Sequence, residues 1–155
     1  MRISSRRRER GANLVEFALI APFLIMLLFG IIEFAWVFAQ NLDIRHGARE
    51  GARLAAVNFP VGATNGSTAR NDTDRDALID EICARMDVAS GVTVDLQSAG
   101  TVGAAAIATT SAPRSTLTGI MDWALPSSIV LTSTVEIRVE QPATWTNAPT
   151  GGQAC

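Results

Sequence analysis

The chain opens with an arginine-rich polar stretch and then changes character: from Phe17 to Ile32 there is no charged residue. A helix continued from Ala12 to Ala39 would hold 28 residues. It would span about 42 Å, more than the ~30 Å of a hydrocarbon core. The pattern therefore predicts a membrane-spanning helix. Helical character persists from Asn41 to about Val57, where Gly47, Ala48, Gly51, Ala52 and Ala55 put small residues on one side. Two glycines inside a helix cost about 1 kcal/mol each relative to alanine. Such a smooth stripe lets a second backbone approach closely. That backbone belongs either to another subunit or, more simply, to the chain's own globular part.

Phe59-Pro60 should end the helix, because the residue before a proline avoids helical geometry. Val61 to Thr73, rich in Gly, Asn, Ser and Thr, reads as a loop. Thr73 or Asp74 is then placed to cap a second helix running to about Val88. Its apolar face is Ala77, Leu78, Ile82 and Met86, joined by Cys83. Val92, Val94 and Leu96 alternate with polar residues, as do Val135, Ile137 and Val139. Both are half-buried strand patterns. Between them Ser98 to Ser128 is rich in small residues and shows no clear period; Ile120, Trp123 and Leu125 are candidates to cover one sheet edge. After Pro142 the tail reads as loop. The expected fold is α+β: a long amino-terminal transmembrane helix followed by a small head of one helix and an antiparallel sheet. The expected divisions are a basic leader at 1–11, the membrane helix at 12–39, its extension at 40–57, a loop at 58–73 and the head at 74–155.

Charge sharpens this picture. All 13 basic residues are arginine, and the net charge is −2. The first ten residues carry five of those arginines and one glutamate, which leaves the remainder at −6. The body of the chain is therefore acidic and offers nothing to nucleic acid. The arginine cluster places the amino terminus in the cytoplasm and everything after about Ala39 outside it. Cysteines can oxidise there. Cys83 and Cys155 are either bonded, pinning the tail to the head, or are a buried thiol and a free terminal one.

Glu16 separates three readings of the apolar segment. A secretory signal peptide would be cut after Val37-Phe38-Ala39, but the apolar stretch is too long for one and Glu33 lies just before the cut. A plain signal anchor accounts for the arginines, the length and the orientation. It leaves Glu16 unexplained, although a carboxylate in the first helical turn is partly offset by the helix dipole and nearby headgroups. The third reading takes GANLVEF (Gly11 to Phe17) as a unit. It resembles the processing site of type IV pilins: a glycine, a cut after it, glutamate as the fifth mature residue, and an aromatic next.

The resemblance extends further. Arg10 to Phe38, with Pro22 and the Gly30-Ile31-Ile32-Glu33 step, followed by Ala48 to Val57, is similar to the TadE-like family. These are minor pseudopilins of the tight-adherence (Tad) pilus machinery. The resemblance implies cleavage between Gly11 and Ala12 by a prepilin peptidase, and assembly through Glu16 and Phe17 with other pilin and pseudopilin subunits. It implies an inner-membrane protein with its head outside the cytoplasm. A cut after Gly11 frees an amine on Ala12, one helical turn from Glu16, and a carboxylate in an apolar setting needs such a partner. Pro22 removes one backbone hydrogen bond and should bend the helix. Glu33 and Trp36 are expected at the outer membrane interface.

Other motifs lead to plainer readings. Asp72, Asp74 and Asp76 alternate as at the start of a calcium loop, but Ala77 and Cys83 stand where glycine and glutamate are required. Asn65-Gly66-Ser67 and Asn71-Asp72-Thr73 are glycosylation-type triplets of the kind such loops contain by chance. Arg45, Arg49 and Arg53, with Glu50 beside them, read as a solvated or paired face, and the single histidine, His46, as a surface residue. No nucleophile–histidine set, phosphate loop or metal spacing is present, so neither an enzyme nor a cofactor is implied. The competing functions are a processed pilus subunit, an uncleaved single-pass envelope binding protein, and a secreted domain released after Ala39.

Overall fold

The apolar run and the alanine-rich stretch after it fold as one unbroken helix, α1 (Ser5–Ala56), of 52 residues and about 78 Å. The computed structural model describes residues 5–57, 69–70, 72–98, 101–119, 122, 129–141, 144–145 and 152–155. After α1 come β1 (Ala69–Arg70), α2 (Asp72–Cys83), β2 (Thr93–Ser98), β3 (Ala105–Pro113), β4 (Val130–Arg138), β5 (Thr144–Trp145) and β6 (Gln153–Ala154). A four-stranded antiparallel sheet in the order β4-β3-β2-β6 forms the head, and β1 pairs in parallel with β5. The architecture is the expected α+β.

Side-chain period decides which sheet face is covered. Val94 and Leu96 of β2 pair with Thr110 and Ala108 of β3, and Ala108 pairs in turn with Val135 of β4. This face meets the outer half of α1 (Ile44, Ala52, Leu54) and α2 (Leu78, Ile79, Ile82) in one core. A second cluster joins Ala55 and Ala56 to Ala106 and Val139. The opposite face is hydroxyl-rich: Thr109 bonds Thr134 at 3.0 Å, and Thr93 bonds Ser111 at 2.7 Å. Ala56 O accepts the backbone N–H groups of Glu140 and Gln141 at 2.9 and 3.1 Å. Carbonyls at a helix end otherwise lack partners.

The small-residue stripe of α1 is occupied by the chain's own head. A Cβ built at Gly51 would stand 3.1 Å from Ile82 Cδ1 and 3.2 Å from Ala108 Cβ, and one at Gly47 would run into Met86. Ala48 and Ala52 are buried, while Arg45, His46, Arg49 and Arg53 face outward.

Three expectations change. The second helix was expected to reach about Val88 but ends at Cys83. Arg85 N and Met86 N bond back only three residues, to Ile82 O and Cys83 O, tightening the last turn. Val88 N and Ala89 N then turn to Asp43 Oδ2 on α1, both at 3.0 Å. The unreadable 98–128 segment contains β3, the longest-paired strand of the sheet. The tail expected as loop ends in β6, which pairs with β2, and Cys155 N donates to Val92 O at 2.9 Å. Gly152, at φ 75°, brings the tail so close to Val94 O that a Cβ would stand 3.1 Å from it. Cys83 and Cys155 form a disulfide, with Cα atoms 5.5 Å apart. The Phe59-Pro60 stop, the side chains of the Thr73–Asp74 cap and of the aspartate triplet, the Asn65 triplet, and Ile120, Trp123 and Leu125 lie outside the described residues.

Candidate functional site

Gly11, Ala12, Glu16 and Phe17 all lie on α1, well away from the head, and their surfaces are exposed. The helix brings Ala12 and Glu16 onto one face, because residues four apart are neighbours one turn apart. Phe17 and its apolar successors, Leu19, Ile20, Phe23 and Leu24 among them, stay more than half exposed. A single chain therefore leaves this surface for lipid or other helices. The segment from Gly11 onward is long and apolar enough to cross a membrane. Helical structure continues through Pro22.

The outer half of α1 is bound to the head at polar points. Glu33, 1 % exposed, is the innermost. Its Oε1 accepts Leu117 N at 2.9 Å, and its Oε2 accepts Thr118 N at 3.1 Å and Thr118 Oγ1 at 2.8 Å. Two turns on, Gln40 Oε1 accepts Ser115 N and Ser115 Oγ, both at 3.0 Å, and Gln40 Nε2 donates to Ser115 O at 2.8 Å. Asp43 holds the turn after α2, and Thr110 Oγ1 donates to Ile44 O at 2.7 Å. Further out Arg85 lies between Glu50 and Glu81. The Glu81 hydrogen bond outweighs partial desolvation and, with Glu50, raises the Arg85 pKa above its ordinary value.

These polar partners were not legible as partners in the sequence. Glu33, expected as an interfacial residue, has its carboxylate enclosed by the chain's own head. Trp36, expected beside it as an interfacial anchor, is partly covered. A signal was nonetheless present. Following the face of the small-residue stripe backward at helical period, from Gly51 and Gly47 through Ile44, reaches Gln40 and then Glu33.

Cys83 and Cys155 take no part in this junction; their bond ties β6 to the end of α2. Among the described residues there is no group of three or more His, Cys, Asp or Glu side chains able to hold a metal ion.

No curated protein and no solved structure matches the chain. Residues 11–53 match the family model described as TadE-like protein. The match begins at the glycine of the GANLVEF motif and runs through Glu16, Pro22, Glu33 and the small-residue stripe as far as Ala52. Over its amino-terminal third the chain is thus similar to the TadE-like family.

Proposed function

We propose that the chain is a minor pseudopilin-type subunit of a Tad pilus apparatus, anchored in the inner membrane with its amino terminus in the cytoplasm and its head outside. A prepilin peptidase cuts between Gly11 and Ala12. The new Ala12 amine and the Glu16 carboxylate then set the axial register between neighbouring α1 helices. The observation that carries this reading is the family match starting at Gly11, with Glu16 one turn beyond Ala12 on an exposed apolar helix. The fold supports the division of labour. The head consumes the small-residue face of α1 between Ile44 and Ala56, so contacts with other pilin subunits fall to the inner, lipid-facing half. Ion pairing in a low dielectric is strong only when the geometry is good, and helices held in one register supply that geometry.

Amino-terminal sequencing of the mature protein tests the proposal. Ala12 as first residue supports it; Met1 points to an uncleaved envelope anchor and Gln40 to a secreted domain. Glu16→Ala should still insert in the membrane but drop out of the pilus complex. Normal incorporation of that variant would refute the register role.

A further inference from the structure

The junction at Glu33 sets the height of the head above the bilayer. From Ala12 to Ile32 there are 21 residues, about 31 Å of helix, which matches a hydrocarbon core of ~30 Å. Glu33 is the next residue. It points away from lipid, into the head, while Phe34 beside it is 73 % exposed. Whatever bonds to the Glu33 carboxylate lies at the membrane edge. The bonded groups are the amides of Leu117 and Thr118 and the Thr118 hydroxyl.

The path of this loop is fixed at two heights. Ser115 is bonded to Gln40 and Thr118 to Glu33. Seven residues of helix separate those positions, so the loop descends about 10 Å along α1 toward the membrane. At its lower end Leu117, whose amide is bonded to Glu33 next to Phe34, is 54 % exposed. Irregular backbone approaching hydrocarbon must have its N–H groups satisfied within the protein. Glu33 satisfies two of them. A carboxylate at the membrane edge in turn needs donors, and the loop provides three.

We propose that residues 115–119 are a membrane seat, with Leu117 entering the interfacial layer of the outer leaflet and Glu33 positioning the loop from within. The occupant of this surface is lipid: the exposed Leu117 continues the apolar belt of α1 at the same height, and that belt is the surface the bilayer covers. The seat fixes head height and orientation at two points, the helix and the loop. The inference rests on the membrane-anchored reading above.

The test uses the full chain in phosphatidylcholine vesicles under non-reducing conditions, which keep Cys83 and Cys155 bonded. A nitroxide is attached in turn to Leu117→Cys, to Leu28→Cys in mid-helix, and to Thr132→Cys on the exposed sheet face. Its accessibility to oxygen and to a water-soluble nickel complex is then measured. The expected result is a lipid-type profile at 28 and 117 and an aqueous profile at 132. With Glu33→Ala added, the label at 117 should become aqueous while that at 28 does not change. An aqueous profile at 117 beside a lipid profile at 28 overturns the seat and leaves the anchor standing. An aqueous profile at 28 overturns the anchor and the seat with it. A label at 117 that stays lipid-immersed in the Glu33→Ala background overturns the positioning role of Glu33.

Discussion

Gly51 on α1 faces Ala108 on β3 so closely that a Cβ on the glycine would stand 3.2 Å from the alanine Cβ, and 3.1 Å from Ile82 Cδ1. This contact determines how near the helix lies to the sheet. It explains why both elements are built of small residues where they cross: Ala48 and Ala52 on the helix, Ala106 and Ala112 on the strand. Larger side chains would hold the layers apart and uncover the α2 core.

Gly51→Leu should therefore destabilise the head by about 3 kcal/mol, since overpacking a closed core costs about 1–3 kcal/mol and sometimes more. Gly47→Ala should stay within about 1 kcal/mol of the parent. The atoms it meets belong to the flexible Met86 side chain, which can rotate away, and alanine favours the helix. Thermal unfolding of both variants in detergent, followed by circular dichroism, distinguishes the two; equal losses would contradict the contact at Ala108.

Glu33→Ala removes the acceptor for three donors, two of them backbone amides. Hydrogen bonds to a charged group are worth about 1.5–3 kcal/mol, and these partly buried donors would have to find water in its place. Amide exchange at Leu117 and Thr118 should accelerate by roughly 100-fold, the equivalent of about 3 kcal/mol of local opening. Exchange in β2 and β3 should change little. Glu33→Gln, which keeps one carbonyl acceptor, should fall between.

The Cys83–Cys155 bond closes a sequence separation of 72. Chain-entropy arguments assign such a loop about 4 kcal/mol. Mass spectrometry of the denatured chain should show a gain of two hydrogens on reduction. The double Cys→Ser variant should unfold at clearly lower denaturant and lose protection first at β6, whose two residues are otherwise held to one edge of β2. An unchanged mass on reduction would disprove the bond.

Two polar contacts of α1 should rank very differently. Asp43→Ala leaves Val88 N and Ala89 N without their acceptor, at a cost of about 1–3 kcal/mol. Arg85→Ala removes the link between Glu50 and Glu81, but these groups are partly exposed and screened by solvent, so a clearly smaller loss is expected. Denaturant titration at two salt concentrations checks the order; a larger loss for Arg85→Ala would reverse the assignment of the turn to Asp43.

The readable elements were those with strong local contrast. An uncharged run long enough for a bilayer has few other uses, and β2 and β4 alternate apolar with polar residues. β3 escaped because its buried positions are Ala106, Ala108, Thr110 and Ala112 and its outward ones include Thr109 and Ser111. Hydropathy barely changes between its two faces, and alanine is a weak strand former. The small size that hid the strand is what the approach of α1 demands. β6 escaped for a different reason: two residues carry no period, and the disulfide and the pairing to β2 hold them.

Taken alone, the sequence determined the membrane-length helix, the basic start, the glycine–glutamate motif and the outline of an α+β head. Each is a local property: an uninterrupted apolar run, a charge cluster, a short spacing, a period of two or of 3.6. Only the tertiary structure decided the partners of those elements. It assigned the small-residue stripe to the chain's own sheet and turned Glu33 inward to a loop 84 and 85 residues further on. A buried carboxylate and a close-packed glycine are defined by what lies opposite them, and residues that distant in sequence meet only when the chain folds.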